Sequence, residues 1–174
     1  MQNVKNAIRT VPNWPVEGVM FRDITTLLQD PAVFREVIDC FYDRYSKMNL
    51  DVILGIDARG LIFGAPLAYK LNLPFVPIRK KGKLPFKTVS QSYALEYGED
   101  SIEIHEDAIK KGDRVLIMDD LIATGGTMQA AIKLSEMLKG EVVECALIID
   151  LPDLKGKGKI AGYKVFSLME FEGE

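Results

Sequence analysis

The chain is poor in the residues from which metal centres and covalent frameworks are built. In 174 residues it has two cysteines, Cys40 and Cys145, and one histidine, His105. The cysteines lie far apart and form no C-x-x-C pair, so neither a disulfide framework nor a cysteine zinc site is expected, and free thiols suit a reducing compartment. One histidine excludes metal sites that need several, and a Ser–His–Asp set would have to use that residue. Basic excess is also missing: 22 Lys and Arg against 25 Asp and Glu give a net charge of −3 and a pI near 5.3. Nucleic-acid-binding domains usually carry the opposite bias, so no nucleic-acid partner is expected. No apolar run approaches the ~18 residues of a membrane-spanning helix. The segment Met1-Gln2-Asn3-Val4-Lys5 lacks the apolar run of a signal peptide. A soluble cytoplasmic protein with no membrane partner is the expectation.

What is present is globular material. Hydrophobic residues make up 48% and charged residues 27%, a balance that excludes wholesale disorder. A chain of this length buries roughly 70% of the surface it exposes when unfolded and needs no staples. Residues 1–174 are read as one domain without repeats. Val4, Ala7, Ile8 and Val11 recur at helical spacing, predicting a helix over Asn3–Val11. Pro12 to Leu28 reads as an irregular hood too apolar for a linker, so residues 1–29 form an N-terminal helix and hood. Asp30 followed by Pro31 predicts a capped helix carrying Phe34, Val37, Ile38, Phe41 and Tyr45 on its apolar stripe.

Strands are expected at Asp51–Ile56, Phe75–Ile78, Arg114–Asp119, Val142–Ile149 and Tyr163–Met169. Helices are expected at Gly60–Leu71, kinked by Pro66, and at Thr127–Lys139, stopped by Gly140. Alternating polarity around Gly98-Glu99-Asp100 predicts a hairpin, and Lys155–Lys159 reads as a solvated basic loop. Strands alternating with helices give an α/β fold: a central, mostly parallel twisted sheet flanked by helices.

Chemistry concentrates in Val115-Leu116-Ile117-Met118-Asp119-Asp120-Leu121-Ile122-Ala123-Thr124-Gly125-Gly126-Thr127. An apolar strand ends in two carboxylates, and a small-residue loop then opens a helix. Gly125 and Gly126 admit close approach of the backbone to a ligand. Thr124 and Thr127 add hydroxyls, and the helix N-terminus favours an anion. This is a phosphate cradle without a Walker lysine. Carboxylates would repel phosphate, so Asp119 and Asp120 suit vicinal sugar hydroxyls or a divalent cation. For both to face one ligand, Asp120 must already lie in the turn, because adjacent strand residues point to opposite faces. A phosphorylated ribose satisfies both halves.

Gly55-Ile56-Asp57-Ala58-Arg59-Gly60 joins another strand to a helix, with Leu61 where a Walker loop needs lysine. An arginine there suits an oxyanion group such as pyrophosphate, and a structural turn is the alternative. From Arg79 to Lys87 there are five positive residues and no acid, with Gly82 and Pro85 among them. Arg79 to Lys87 reads as a functional segment or, equally, as a solvated loop, and residues 79–100 are expected to form a flexible catalytic loop.

On these residues the chain resembles the type I phosphoribosyltransferases, whose phosphoribosyl-pyrophosphate signature matches Val115–Thr127. Further segments narrow the resemblance to the adenine phosphoribosyltransferases. They are Gly18-Val19-Met20-Phe21-Arg22-Asp23-Ile24-Thr25, Gly55–Gly60, Arg79-Lys80-Lys81-Gly82-Lys83-Leu84-Pro85 and Tyr93-Ala94-Leu95-Glu96-Tyr97-Gly98, in the family's order. The resemblance implies transfer of ribose 5-phosphate from phosphoribosyl pyrophosphate to adenine, with Mg²⁺, giving AMP and pyrophosphate in purine salvage.

Carried over by position, it implies that Asp119 and Asp120 hold the ribose hydroxyls while Ala123, Thr124, Gly125, Gly126 and Thr127 cradle the 5-phosphate. Ala58 and Arg59 bind pyrophosphate, in a loop that in the family can carry a non-proline cis peptide. Ala58 stands where many relatives have serine. Arg79, Lys80 and Lys83 are loop partners of the pyrophosphate, Arg79 across a homodimer interface. Met20, Phe21, Arg22 and Leu121 form the adenine pocket, with the Arg22 main chain on adenine's edge, and Glu96 is the candidate acid/base. Metal would be held by substrate and water rather than by protein ligands. Two alternatives stay open at this point: another purine base, or a regulator of the same fold that senses phosphoribosyl pyrophosphate.

Overall fold

The computed structural model describes residues 1–94 and 99–173. Five strands form its parallel centre: β3 (Val52–Ile56), β4 (Phe75–Lys80), β7 (Arg114–Ile122), β8 (Glu141–Asp150) and β9 (Val165–Glu170). The hairpin of β5 (Thr88–Ala94) and β6 (Glu99–His105) extends the sheet antiparallel beside β4. The seven-stranded order is β5-β6-β4-β3-β7-β8-β9.

Alternation sorts the central strands onto two cores. Ile53, Leu116, Met118, Ala146 and Ile148 face one side, where α3 (Pro31–Tyr45) and α4 (Arg59–Leu71) cover them with Val37, Phe41, Phe63 and Leu67. Val52, Leu54, Ile56, Val115, Ile117, Cys145 and Leu147 face the other side, beneath Met128, Ala131, Ile132 and Leu134 of α5 (Gly126–Met137). A sheet covered on both faces reads as continuous apolar runs, which is why these strands were visible in the sequence. Asp30 caps α3 as its position predicts: its Oδ1 accepts from Ala32 N at 2.9 Å and Val33 N at 3.2 Å.

Several expectations need correction. The N-terminal helix, α1 (Gln2–Asn6), is short, and Arg9–Pro12 is instead strand β1, paired antiparallel with β2 (Met20–Asp23). The hood therefore has a two-stranded frame, followed by α2 (Thr25–Gln29). Val11 belongs to this ribbon: cross-strand pairing with Phe21 outweighs its helical spacing. Within the hood the Trp14 ring packs 4.3 Å from that of Phe21 while remaining 51% exposed.

The hairpin exists, yet Glu99 and Asp100 are strand residues opposite Ala94 and Tyr93. The stop of α5 is made by Lys139 at φ +65°, not by Gly140. Gly140 is needed for space, because a Cβ there would lie 3.0 Å from both Ile109 and Val115 side chains. Lys155–Lys159 is not a free loop. A 3₁₀ turn at Pro152–Leu154 leads into α6 (Gly156–Lys159), anchored by Lys157 Nζ at 2.6 Å from the buried Asp150 carboxylate.

Candidate active site

Strand order reverses at β3: β4 lies on one side of it and β7 on the other. The loops after β3 and β7 thus diverge over the sheet edge, where α/β folds leave a crevice. A cleft of about 230 Å³ opens there. Its walls are Asp57, Ala58 and Arg59 from the first loop, Asp119 to Met128 from the second, and Ile56, Lys80 and Tyr93. Sequence and topology together bring Ala58, Arg59, Lys80, Asp119, Asp120, Leu121, Ala123, Thr124, Gly125, Gly126 and Thr127 to one place.

The carboxylate pair departs from expectation in one respect. β7 runs on to Ile122, so Asp120 is still a strand residue rather than a turn residue. Both acids nonetheless border the cleft. Asp119 Oδ1 accepts the Asp120 amide at 2.9 Å. Asp120 Oδ2 lies 2.8 Å from Arg59 Nε as an ion pair, but this buried oxygen receives no aligned hydrogen bond. It keeps acceptor capacity for a ligand hydroxyl. Burial, then the adjacent Asp120 charge, pushes the Asp119 carboxyl well above the usual range. Burial raises Asp120 too, against the pull of Arg59.

α4 can sit this close only because its second residue is glycine: a Cβ on Gly60 would lie 2.4 Å from the Met118 carbonyl oxygen. The Asp57–Ala58 peptide is cis. In the second loop, Gly125 takes φ +78°, a region that favours glycine, and leads into the N-terminus of α5.

Of the remaining expected residues, those the structure describes lie outside the cleft lining. Arg79 Nε donates to Asp57 Oδ2 at 3.0 Å, so it is tied to the first loop of its own chain. Lys83 is exposed on the turn after β4. Met20 and Phe21 are half-buried on β2, and the Phe21 ring lies 5.7 Å from the Arg59 guanidinium, at the rim of the site. The Arg22 side chain is not a platform open to a base. It is buried, donating to Thr10 Oγ1 at 2.8 Å and the Glu172 carbonyl at 3.3 Å, over the Phe171 ring. Glu96 lies outside the described residues.

Two contributors escaped the sequence reading. Tyr93 lines the cleft, its ring 3.4 Å from where a Cβ on Gly126 would stand, and donates to Asp100 Oδ2 at 3.2 Å. Gly156 of α6 supports the second loop from behind: a Cβ on it would lie 2.2 Å from the Ala123 carbonyl oxygen. A glycine in a lysine-rich run carries no mark of such a role. Tyr93 had one signal, its place on the inner end of a hairpin strand.

The model of the phosphoribosyl transferase domain matches residues 23–172. An adenine phosphoribosyltransferase of Desulfosudis oleivorans is 70% identical over 172 residues, covering 99% of both chains. Among solved structures, the adenine phosphoribosyltransferase of Thermoanaerobacter pseudethanolicus superposes with a TM-score of 0.95 at 46% identity, covering 98% of this chain and 99% of that one. The Saccharomyces cerevisiae enzyme, solved with an imino-altritol bisphosphate and adenine, gives a TM-score of 0.92 at 39% identity, covering 97% of each. Matched by the family model over most of its length and by relatives end to end, the chain belongs to the phosphoribosyl transferase family, among the adenine phosphoribosyltransferases.

Proposed function

We propose that the chain transfers the 5-phosphoribosyl group from phosphoribosyl pyrophosphate to adenine, forming AMP and pyrophosphate in purine salvage. One observation carries this reading: two carboxylates and a glycine-rich helix N-terminus share a single cleft. The cradle of Ala123, Thr124, Gly125, Gly126 and Thr127 binds the 5-phosphate. Asp119 and Asp120 accept from the ribose hydroxyls.

As the bond from C1 of ribose to pyrophosphate breaks, positive charge grows on the ring, and these carboxylates stabilise it. Arg59 and the main chain at Ala58 hold the departing pyrophosphate, with Lys80 at the cleft wall. Arg79 and Lys83 join when the basic turn closes, Arg79 exchanging Asp57 for pyrophosphate. The attacking ring nitrogen of adenine forms the new bond to C1 and loses its proton, with Glu96 the candidate acceptor. Met20, Phe21, Arg22 and Leu121 position the base, the Arg22 contribution being its main chain. Closure excludes water that would otherwise hydrolyse the activated sugar.

The residues present fit Mg²⁺ carried by substrate: Asp119 and Asp120 border the cleft and would face the ribose oxygens. When bound, Mg²⁺ supplies charge neutralisation for the leaving pyrophosphate. A cytoplasmic homodimer completes the proposal. The unpaired thiols of Cys40 and Cys145 suit a reducing compartment. The outward face of α4, with Ile62 39% and Tyr69 89% exposed, offers apolar surface to a second copy. No helix among the described residues is long and apolar enough to cross a membrane.

The test is turnover of purified protein with phosphoribosyl pyrophosphate, Mg²⁺ and each purine base in turn, alongside sedimentation for the dimer. AMP formed from adenine alone is expected. Equal turnover of hypoxanthine would overturn the assignment of the base.

A further inference from the structure

One chain of contacts runs along the cleft wall from the 123–127 loop to the basic turn. It begins at Gly126, the first residue of α5, where a Cβ would lie 3.4 Å from the Tyr93 ring. Tyr93 then donates to Asp100 Oδ2 at 3.2 Å. Asp100 faces Tyr93 across the β5–β6 ladder and also accepts from Lys80 Nζ, at the end of β4. Asp100 Oδ1 accepts the Ser101 amide at 2.8 Å, which fixes the carboxylate's orientation. Thr127, Tyr93 and Lys80 all line the cleft; Asp100 stands just behind them.

We infer that Tyr93 and Asp100 are positioning residues for phosphoribosyl pyrophosphate, joining the group that binds its 5-phosphate to the cation that meets its pyrophosphate. The inference rests on the function proposed above and goes beyond it. Tyr93 touches neither reacting atom in this scheme; it acts through its packing on Gly126 and its bond to Asp100. Lysine has a long flexible stem and a point charge, so without a partner Lys80 would sample many rotamers. The Asp100 carboxylate selects one that points along the cleft, and the Tyr93 hydroxyl keeps that carboxylate in register with the cradle. The ion pair also raises the Lys80 ammonium and lowers the Asp100 carboxyl, the mutual hydrogen bond being the main cause in each. The lysine is thereby kept charged and ordered before substrate arrives, which reduces the ordering required on binding.

The experiment has two arms, on wild type, Tyr93→Phe, Asp100→Asn and the double variant. In the first, ligand-free protein is treated with an amine-acylating reagent, and modification of Lys80 is followed by mass spectrometry. Asp100→Asn is expected to acylate Lys80 about three to ten times faster than wild type, because its charge-assisted partner is lost, and Tyr93→Phe to speed it by a smaller factor, because that partner loses its own tether. In the second arm, KM for phosphoribosyl pyrophosphate should rise about five- to tenfold, while KM for adenine stays within about twofold. The double variant should be no worse than the worse single one, since both act through one chain.

Unchanged acylation of Lys80 would overturn the inference whether or not the protein turns over adenine. Equal rises in both KM values, or multiplicative losses in the double variant, would overturn it as well. Faster acylation in a protein that makes no AMP would uphold the chain of contacts and reject the function instead. Tyr93→Phe retains the ring, and thermal unfolding identifies any variant that fails to fold; the other single variant then carries both arms.

Discussion

Gly125 and Gly156 lie backbone to backbone: a Cβ on Gly125 would sit 2.4 Å from the Gly156 carbonyl oxygen. Two glycines 31 positions apart in sequence thus let α6 support the 123–127 loop that lines the cleft. Lys157, bonded to Asp150 and 3.5 Å from Glu170, fixes α6 to the ends of β8 and β9.

Gly156→Ala should therefore disturb the cradle from outside it. The added methyl meets the Ala123 carbonyl and the Gly125 amide, which are backbone atoms and cannot rotate away. Overpacking of this kind costs about 1–3 kcal/mol, and misplacing a site by about 1 Å costs on the order of 10²-fold in rate. Steady-state kinetics should show the loss in KM for phosphoribosyl pyrophosphate, with KM for adenine little changed. A variant with wild-type kinetics would show that the cradle does not depend on this contact.

Asp119→Asn should lower kcat about 10²–10³-fold by removing charge stabilisation from the developing cation, yet should not destabilise the fold at neutral pH. The folded carboxyl titrates above its ordinary value of 3.8, so the folded state binds its proton more tightly than the unfolded chain. The stability this confers is fully present below the unfolded value and is lost as pH rises through the raised folded value. The amide avoids that loss. Thermal unfolding of wild type and variant from pH 4 to pH 8 should show the variant gaining relative to wild type as pH rises. A relative gain toward low pH would contradict the assigned direction.

Glu103→Ala should loosen the basic turn. The buried Glu103 carboxylate accepts from Gly82 N at 3.0 Å, Lys83 N at 3.2 Å and Leu84 N at 3.1 Å. Burial opposes its ionisation, but these three donors prevail and hold its carboxyl below the ordinary 4.5. The turn is thus held by a buried anion where the sequence offered only exposed lysines. Cleavage at Lys81 and Lys83 by trypsin should quicken in the variant, and phosphoribosyl pyrophosphate should protect wild type. With a depressed pKa, the anchoring is complete above 4.5 and fades as pH falls through the folded value. Identical digestion of both proteins would remove the anchor from the argument.

Adenine should be preferred to hypoxanthine by about 10²–10⁴ in kcat/KM. Under the proposed reading of the base by the Arg22 main chain, hypoxanthine reverses both donor and acceptor on the edge, and each buried mismatch costs about 1–3 kcal/mol. Arg22→Ala should keep most of that preference while lowering thermal stability, because its side chain holds Thr10, the Glu172 carbonyl and the Phe171 ring. A variant that loses discrimination but not stability would mean that the side chain, not the backbone, reads the base.

The sequence by itself determined the elements that bury both faces or carry a local cap. The apolar runs of β3, β7 and β8, the Asp30–Pro31 start of α3, and the Asp119–Thr127 strand–loop–helix are written in contiguous residues whose physics is local. It also picked out Ala58, Arg59 and residues 123–127, which line one cleft because loops after neighbouring parallel strands diverge and leave a crevice where the order reverses. Tertiary structure alone decided the rest. The Arg9–Pro12 strand depends on partners eight to fourteen residues away rather than on its own helical spacing. The inward turn of Arg22 depends on the C-terminal segment, and the support of the cradle by Gly156 depends on strands β8 and β9. These relations join residues far apart in the chain through close contact of backbones and burial of charge. Neither leaves a periodic trace in the sequence, so only the folded chain brings them together.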